Sequence, residues 1–199
     1  METPVHAPRT EIKKSLLQEA LDRRSKETAS WRGSFLLLDT SGSMSDTVGV
    51  NQRKIDVLRT TVEGIRGNGV KFRQITFGGY ATAQETDEIS EPSGGTPLAE
   101  AIILATQLGA RHLCIISDGI PDDTLAANVA AKAFQGKIDV FFVGADNEVR
   151  GKDFLRSLAL TSNGHFQHTE LGSEQKELTE GATKSLLALS AGPSVAIAL

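Results

Sequence analysis

Asp39, Ser41 and Ser43 alternate along the five residues Asp39-Thr40-Ser41-Gly42-Ser43, and each offers a hard oxygen donor. Two further donors belong with them by position: Thr96 in Gly94-Gly95-Thr96-Pro97-Leu98, and Asp118 in Leu113-Cys114-Ile115-Ile116-Ser117-Asp118-Gly119. Three hydroxyls and two carboxylates, with no thiolate or imidazole among them, suit Mg2+ rather than Zn2+, which prefers nitrogen and sulfur. Mn2+ accepts the same oxygen set.

Such donors make a site only if the fold brings them together, and the hydrophobic pattern implies that it does. Phe35–Leu38, Leu113–Ser117 and Ile138–Val143 are short apolar runs, as expected of strands buried on both faces. Lys71–Phe77 alternates as a strand, and Tyr80–Glu88 reads as a shorter, more polar edge strand. Helical spacing runs through Ile55–Ile65, Pro97–Leu108, Asp122/Asp123 to about Phe134, Lys152–Leu160 and Ser173–Leu189, with a last strand at His165–Thr169. Strands separated by helices imply an α/β fold: a doubly wound, mostly parallel sheet flanked by helices, with one short antiparallel edge strand. Asp39 and Asp118 each follow a buried strand directly, so both fall on the carboxyl edge, where ligand sites of such sheets collect. Thr96 precedes a helix in a glycine-rich loop able to reach that edge.

On these residues the chain resembles a von Willebrand factor A domain over 33–189. Asp39, Ser41 and Ser43 match the family's Asp-x-Ser-x-Ser element, Thr96 its threonine and Asp118 its second aspartate. The phrasing Asp-Thr-Ser-Gly-Ser-Met, Gly-Gly-Thr-Pro-Leu and Ser-Asp-Gly is similar to intracellular bacterial and viral members. The resemblance implies a Rossmann-like fold and an intact metal-ion-dependent adhesion site. Ser41, Ser43 and Thr96 would ligate the metal directly, and Asp39 and Asp118 largely through water. It also implies a protein partner whose Asp or Glu completes the metal shell, in settings that include AAA-type ATPases and other multi-subunit complexes.

The remaining features read more simply. Asp122 and Asp123 are expected to cap a helix. His112, His165 and His168 lack a third nitrogen or sulfur ligand and read as strand or loop histidines. Gly94-Gly95-Thr96 lacks the lysine and spacing of a phosphate loop, and Ser41 has neither a nucleophile elbow nor a placed base. Cys114 lies in an apolar strand and reads as a small buried hydrophobe.

The 199 residues are 39% hydrophobic and 23% charged with net charge -4, an ordinary globular balance that argues against a nucleic-acid partner. No segment has the length and apolarity of a membrane span, and Met1–His6 lacks the order of a secretory signal, so a cytoplasmic location is expected. Residues 1–32 read as an extension with an amphipathic helix through Ile12, Leu16, Leu17, Ala20 and Leu21, and 190–199 as an apolar tail. The expected function is a Mg2+-dependent protein-binding module rather than an enzyme. The competing classes are a metal-dependent phosphate-ester hydrolase and a structural subunit of a complex or virion in which the metal only stabilises the loops.

Overall fold

The computed structural model describes residues 33–48, 51–79, 81–168 and 175–188. The helix expected within 1–32 and the tail at 190–199 lie outside these residues. Among the described residues the chain runs through β1 (Ser34–Asp39), a 3-10 turn (Gly42–Ser45), β2 (Thr47–Val48), β3 (Gln52–Arg53), α1 (Lys54–Gly67), β4 (Arg73–Gly78) and β5 (Ala81–Glu85). It continues with α2 (Leu98–Gln107), β6 (His112–Ser117), α3 (Thr124–Ala133), β7 (Lys137–Phe142), α4 (Val149–Thr161), β8 (Phe166–His168) and α5 (Gln175–Ala188).

Six strands form one sheet in the order β5-β4-β1-β6-β7-β8. All neighbours are parallel except β4 and β5, which pair antiparallel at the edge. The central strands β1 and β6 are buried throughout, which is why they read as unbroken apolar runs rather than alternating ones. Alternation appears instead in which face each residue serves. Phe35, Leu37, Leu113, Ile115, Val140 and Phe142 pack under α2, α3 and α4. Leu36, Leu38, Cys114, Ile116 and Phe141 pack under α1 and α5. Burial pushes the Cys114 thiol up, so it stays protonated and inert.

The second face also carries a buried polar group at the amino ends of β6 and β7. Asp139 accepts hydrogen bonds from the Ser185 hydroxyl of α5 (2.7 Å) and from the His165 amide (2.7 Å), and His112 Nε2 lies 2.9 Å from it. Lys137 adds an ion pair. Burial opposes the Asp139 charge, but these partners outweigh it and hold the carboxyl below its usual range. Ser185 thereby fastens α5 to the edge of the sheet opposite the one where Asp39 ends β1.

A two-stranded hairpin, β2 with β3, lies between the turn after β1 and the start of α1. Nothing in the sequence pattern announces it, because strands of two residues have no period to detect.

Candidate functional site

The carboxyl ends of β1 and β6 lie side by side, since Leu38 is in register with Ile116. That adjacency brings the first and last of the predicted residues together across 79 positions of sequence. Asp39 is fully buried; its Oδ1 accepts from the Ser41 amide (2.8 Å) and its Oδ2 from the Ser117 hydroxyl. The Ser41 and Ser43 hydroxyl oxygens are 3.1 Å apart, and the Ser43 hydroxyl donates to Asp118 Oδ1 at 2.9 Å. Burial and the neighbouring Asp118 charge push the Asp39 pKa up to about 6 from 3.8, against the lowering influence of Ser117 and Ser41. Asp39 is therefore held in a pocket that disfavours its charge.

Thr96 reaches this edge through backbone stitching. The Gly42 amide donates to the Gly94 carbonyl (3.0 Å) and the Ser93 amide to the Thr40 carbonyl (3.0 Å), so the loop before α2 lies along the loop after β1. On its other side the Thr96 amide donates to Asp122 Oδ2 (2.8 Å), and the Asp122 amide donates back to the Thr96 carbonyl (3.1 Å). The three loops that carry the predicted donors are thus tied in one row. Contacts this close require glycine. Gly94 has φ +66°, and a Cβ on it would lie 2.3 Å from the Gly79 carbonyl oxygen. A Cβ on Gly95 would meet the Asp122 carboxylate at the same distance. The Thr96 hydroxyl makes no hydrogen bond among the described residues, and the residue is 8% exposed.

Asp122 and Asp123 divide their work. Asp123 caps α3 as expected, its carboxylate accepting from the Ala126 amide (2.8 Å). Asp122 does not cap the helix; its carboxylate holds the Thr96 loop, because an amide of that loop points at it and no helix amide does.

Three residues at the site, Lys54, Glu148 and Ser117, have no counterpart among the donors the sequence singles out. Lys54, the first residue of α1, is buried with its Nζ 2.8 Å from Asp118 Oδ2 and 2.8 Å from Glu148 Oε1. Burial opposes its charge, yet the hydrogen bonds and charges of the two carboxylates outweigh that and raise its pKa. A lysine just ahead of an amphipathic helix reads as a solvated charge, and its partners lie 64 and 94 residues away. Only Ser117, which directly precedes Asp118, could have been suspected from its neighbour. Beyond Asp118 a cleft of about 510 Å3 opens, lined by Gly119, Ile120, Glu148, Val149 and Arg150; Ile120 and Val149 are large apolar side chains left exposed there.

Among the described residues no three His, Cys, Asp or Glu side chains are grouped to hold a metal, so a site here draws on hydroxyls. His112 makes no relay either. Ser185 and Asp139 both approach the same His112 nitrogen, Nε2, and Nδ1 has no partner, whereas acid–base relay needs one group at each nitrogen.

No protein-family model matches the chain, and no curated protein does. Solved structures do. An aerotolerance-related membrane protein from Bacteroides fragilis NCTC 9343, carrying multiple mutations to serines, is 15% identical with a TM-score of 0.57, over 78% of this chain and 98% of that one. The von Willebrand factor type A structure from Catenulispora acidiphila is 15% identical with a TM-score of 0.56, over 77% of this chain and 42% of that one. The manganese-loaded TRAP protein of Plasmodium vivax is 17% identical with a TM-score of 0.53, over 75% and 72%. At these identities the likeness is one of fold. Among the described residues no helix is long and apolar enough to cross a membrane.

Proposed function

We propose that this chain, which has the fold of a von Willebrand factor A domain, is a protein-binding module that docks an acidic side chain of a partner through Mg2+. The observation that carries the reading is the pair of hydroxyl oxygens Ser41 Oγ and Ser43 Oγ, 3.1 Å apart, with Asp118 Oδ1 behind them accepting from the Ser43 hydroxyl at 2.9 Å across 75 residues of sequence. Neighbouring ligands of an octahedral ion with bonds of ~2.0–2.1 Å are about 2.9 Å apart, so the two serine oxygens suit Mg2+ in spacing as well as in chemical type. The unengaged Thr96 hydroxyl on the adjoining loop and the charge-disfavoured Asp39 fit it too. The manganese carried by the Plasmodium vivax protein of the same fold supports a divalent ion in this family of shapes.

Ser41, Ser43 and Thr96 would hold the ion directly, with Asp39 and Asp118 behind them. The bound ion supplies a Lewis-acidic position that a carboxylate from outside can complete. Few direct negative ligands leave it avid for such a group, and the contact is charge-assisted and metal-dependent. The exposed Ile120 and Val149 beside Asp118 give a partner apolar area next to that anchor. A subunit of a larger assembly, an AAA-type ATPase included, is the class of partner the family resemblance suggests. Binding is favoured over phosphate-ester hydrolysis because Lys54, the cation closest to Asp118, is committed to two carboxylates rather than open to a phosphate.

The test is co-purification of partners by the tagged chain in Mg2+ and in EDTA, beside the Ser41→Ala/Ser43→Ala variant. A partner held only by the unmodified chain in Mg2+ is the expected result. Equal retention in all three conditions would move the interface away from the metal and leave the ion a stabilising part.

A further inference from the structure

Lys54 is 1% exposed, although long ammonium side chains ordinarily end in water. Its position at the head of α1 lets the stem run inward along the helix face that packs on the sheet, and the charge ends between Asp118 and Glu148. Asp118 is consequently divided between two duties. Its Oδ1 accepts from Ser43, inside the row of candidate metal donors, while its Oδ2 is taken by the ammonium. Glu148 is divided as well: Oε1 meets Lys54, and Oε2 is buried without a hydrogen-bond partner.

We infer that Lys54 is a built-in counter-cation that lowers the affinity of this site for its metal. The inference rests on the metal reading proposed above. Asp39, Asp118 and Glu148 bring three negative charges to the strand ends, and Lys54 cancels one of them. A fixed positive charge on the far oxygen of a metal-facing carboxylate repels an arriving dication and withdraws that carboxylate's charge from it. A lysine that only fastened α1 to the end of β6 would act in the opposite sense. Its removal would leave a buried carboxylate unpaired, disturb the loop after β6 and loosen the metal. The two roles therefore differ in the sign of one measurement.

That measurement is a Mn2+ titration of the full chain, with free Mn2+ followed by electron paramagnetic resonance, for the unmodified chain, Lys54→Met, Glu148→Gln and Ser41→Ala/Ser43→Ala. Lys54→Met is expected to bind Mn2+ about tenfold more tightly or better, as removal of one near charge at intermediate dielectric implies. Glu148→Gln is expected to bind at least roughly threefold more weakly, because one negative charge is lost and the ammonium is then balanced by the charge of Asp118 alone. Equal or weaker binding by a folded Lys54→Met overturns the inference. Should circular dichroism show that Lys54→Met does not fold, Glu148→Gln decides: unchanged or tighter binding overturns it. Mn2+ binding by the unmodified chain that Lys54→Met fails to tighten defeats this inference alone. No Mn2+ binding by the unmodified chain, or equal binding by Ser41→Ala/Ser43→Ala, defeats the metal reading and this inference with it.

Discussion

Asp39 is the residue at which stability and binding pull in opposite directions. It is fully buried, and both its burial and the charge of Asp118 work against its ionised form. A neutral isostere removes that cost while keeping an acceptor for the Ser41 amide and a partner for the Ser117 hydroxyl. Asp39→Asn is therefore expected to stabilise the domain in EDTA at pH 7 by roughly 1–3 kcal/mol, since each tenfold change in proton affinity between the unfolded and folded chain is worth about 1.4 kcal/mol. On the metal reading proposed above, the same change should abolish the stabilisation expected of Mg2+ on the unmodified chain. Urea midpoints in EDTA and in Mg2+ measure both effects, and a variant less stable than the parent in EDTA would show that Asp39 is not under electrostatic strain. Active sites commonly carry such residues, which fold less well than their neutral replacements.

At the scale of loops and helices, the neighbouring aspartates 122 and 123 offer a controlled comparison. Asp123→Ala loses the cap of α3 and should cost about 0.5–2 kcal/mol with Mn2+ affinity unchanged. Asp122→Ala loses the carboxylate that receives the Thr96 amide, and on its exposed perch it should cost no more than about 1 kcal/mol. Its effect belongs on the metal instead: a Thr96 loop released on one side should lower Mn2+ affinity severalfold. If the two variants changed Mn2+ affinity alike, the Asp122 tie would not be what positions Thr96. The same pair shows where sequence reasoning stops. The strands and helices were legible because burial writes a local period into the chain: the runs at Phe35–Leu38 and Leu113–Ser117 appear as β1 and β6, and the edge strand after Gly79 as antiparallel β5. The strand ends were legible with them, and so were Asp39 and Asp118. The roles of Asp122, Lys54 and Glu148 were not. Each is defined by a partner between 26 and 94 residues away, and nothing in the local pattern of a charged residue distinguishes a solvated side chain from one aimed inward.

Across the whole molecule, the two edges of the sheet carry buried carboxylates that respond to pH in opposite senses. Asp139, beneath α5, has its folded pKa held below the ordinary value by Ser185, His112, the His165 amide and Lys137. A lowered folded pKa contributes stability above the unfolded value, and that contribution is lost as pH falls toward the folded one. Asp39, at the opposite edge, has its folded pKa raised to about 6 from 3.8. A raised folded pKa contributes stability that is complete below the unfolded value and is lost as pH rises through the folded one. The metal-free domain should accordingly be most stable near the ordinary carboxylate range, weakening on the acid side as Asp139 is protonated and on the alkaline side until the loss levels off just above about 6. Mg2+ bound beside Asp39 favours its ionised form, so the loss on the alkaline side should disappear and the gap between the Mg2+ and EDTA curves should widen as pH rises from ~5 to ~7. Denaturant midpoints collected across that range in each condition test this directly. Asp139→Asn should flatten the acid limb alone, because its partners lie at the other end of β7 from the metal donors. Parallel curves in Mg2+ and EDTA at every pH would mean that the ion, if it binds, does not act on Asp39, and the metal would then have to sit elsewhere than at the ends of β1 and β6.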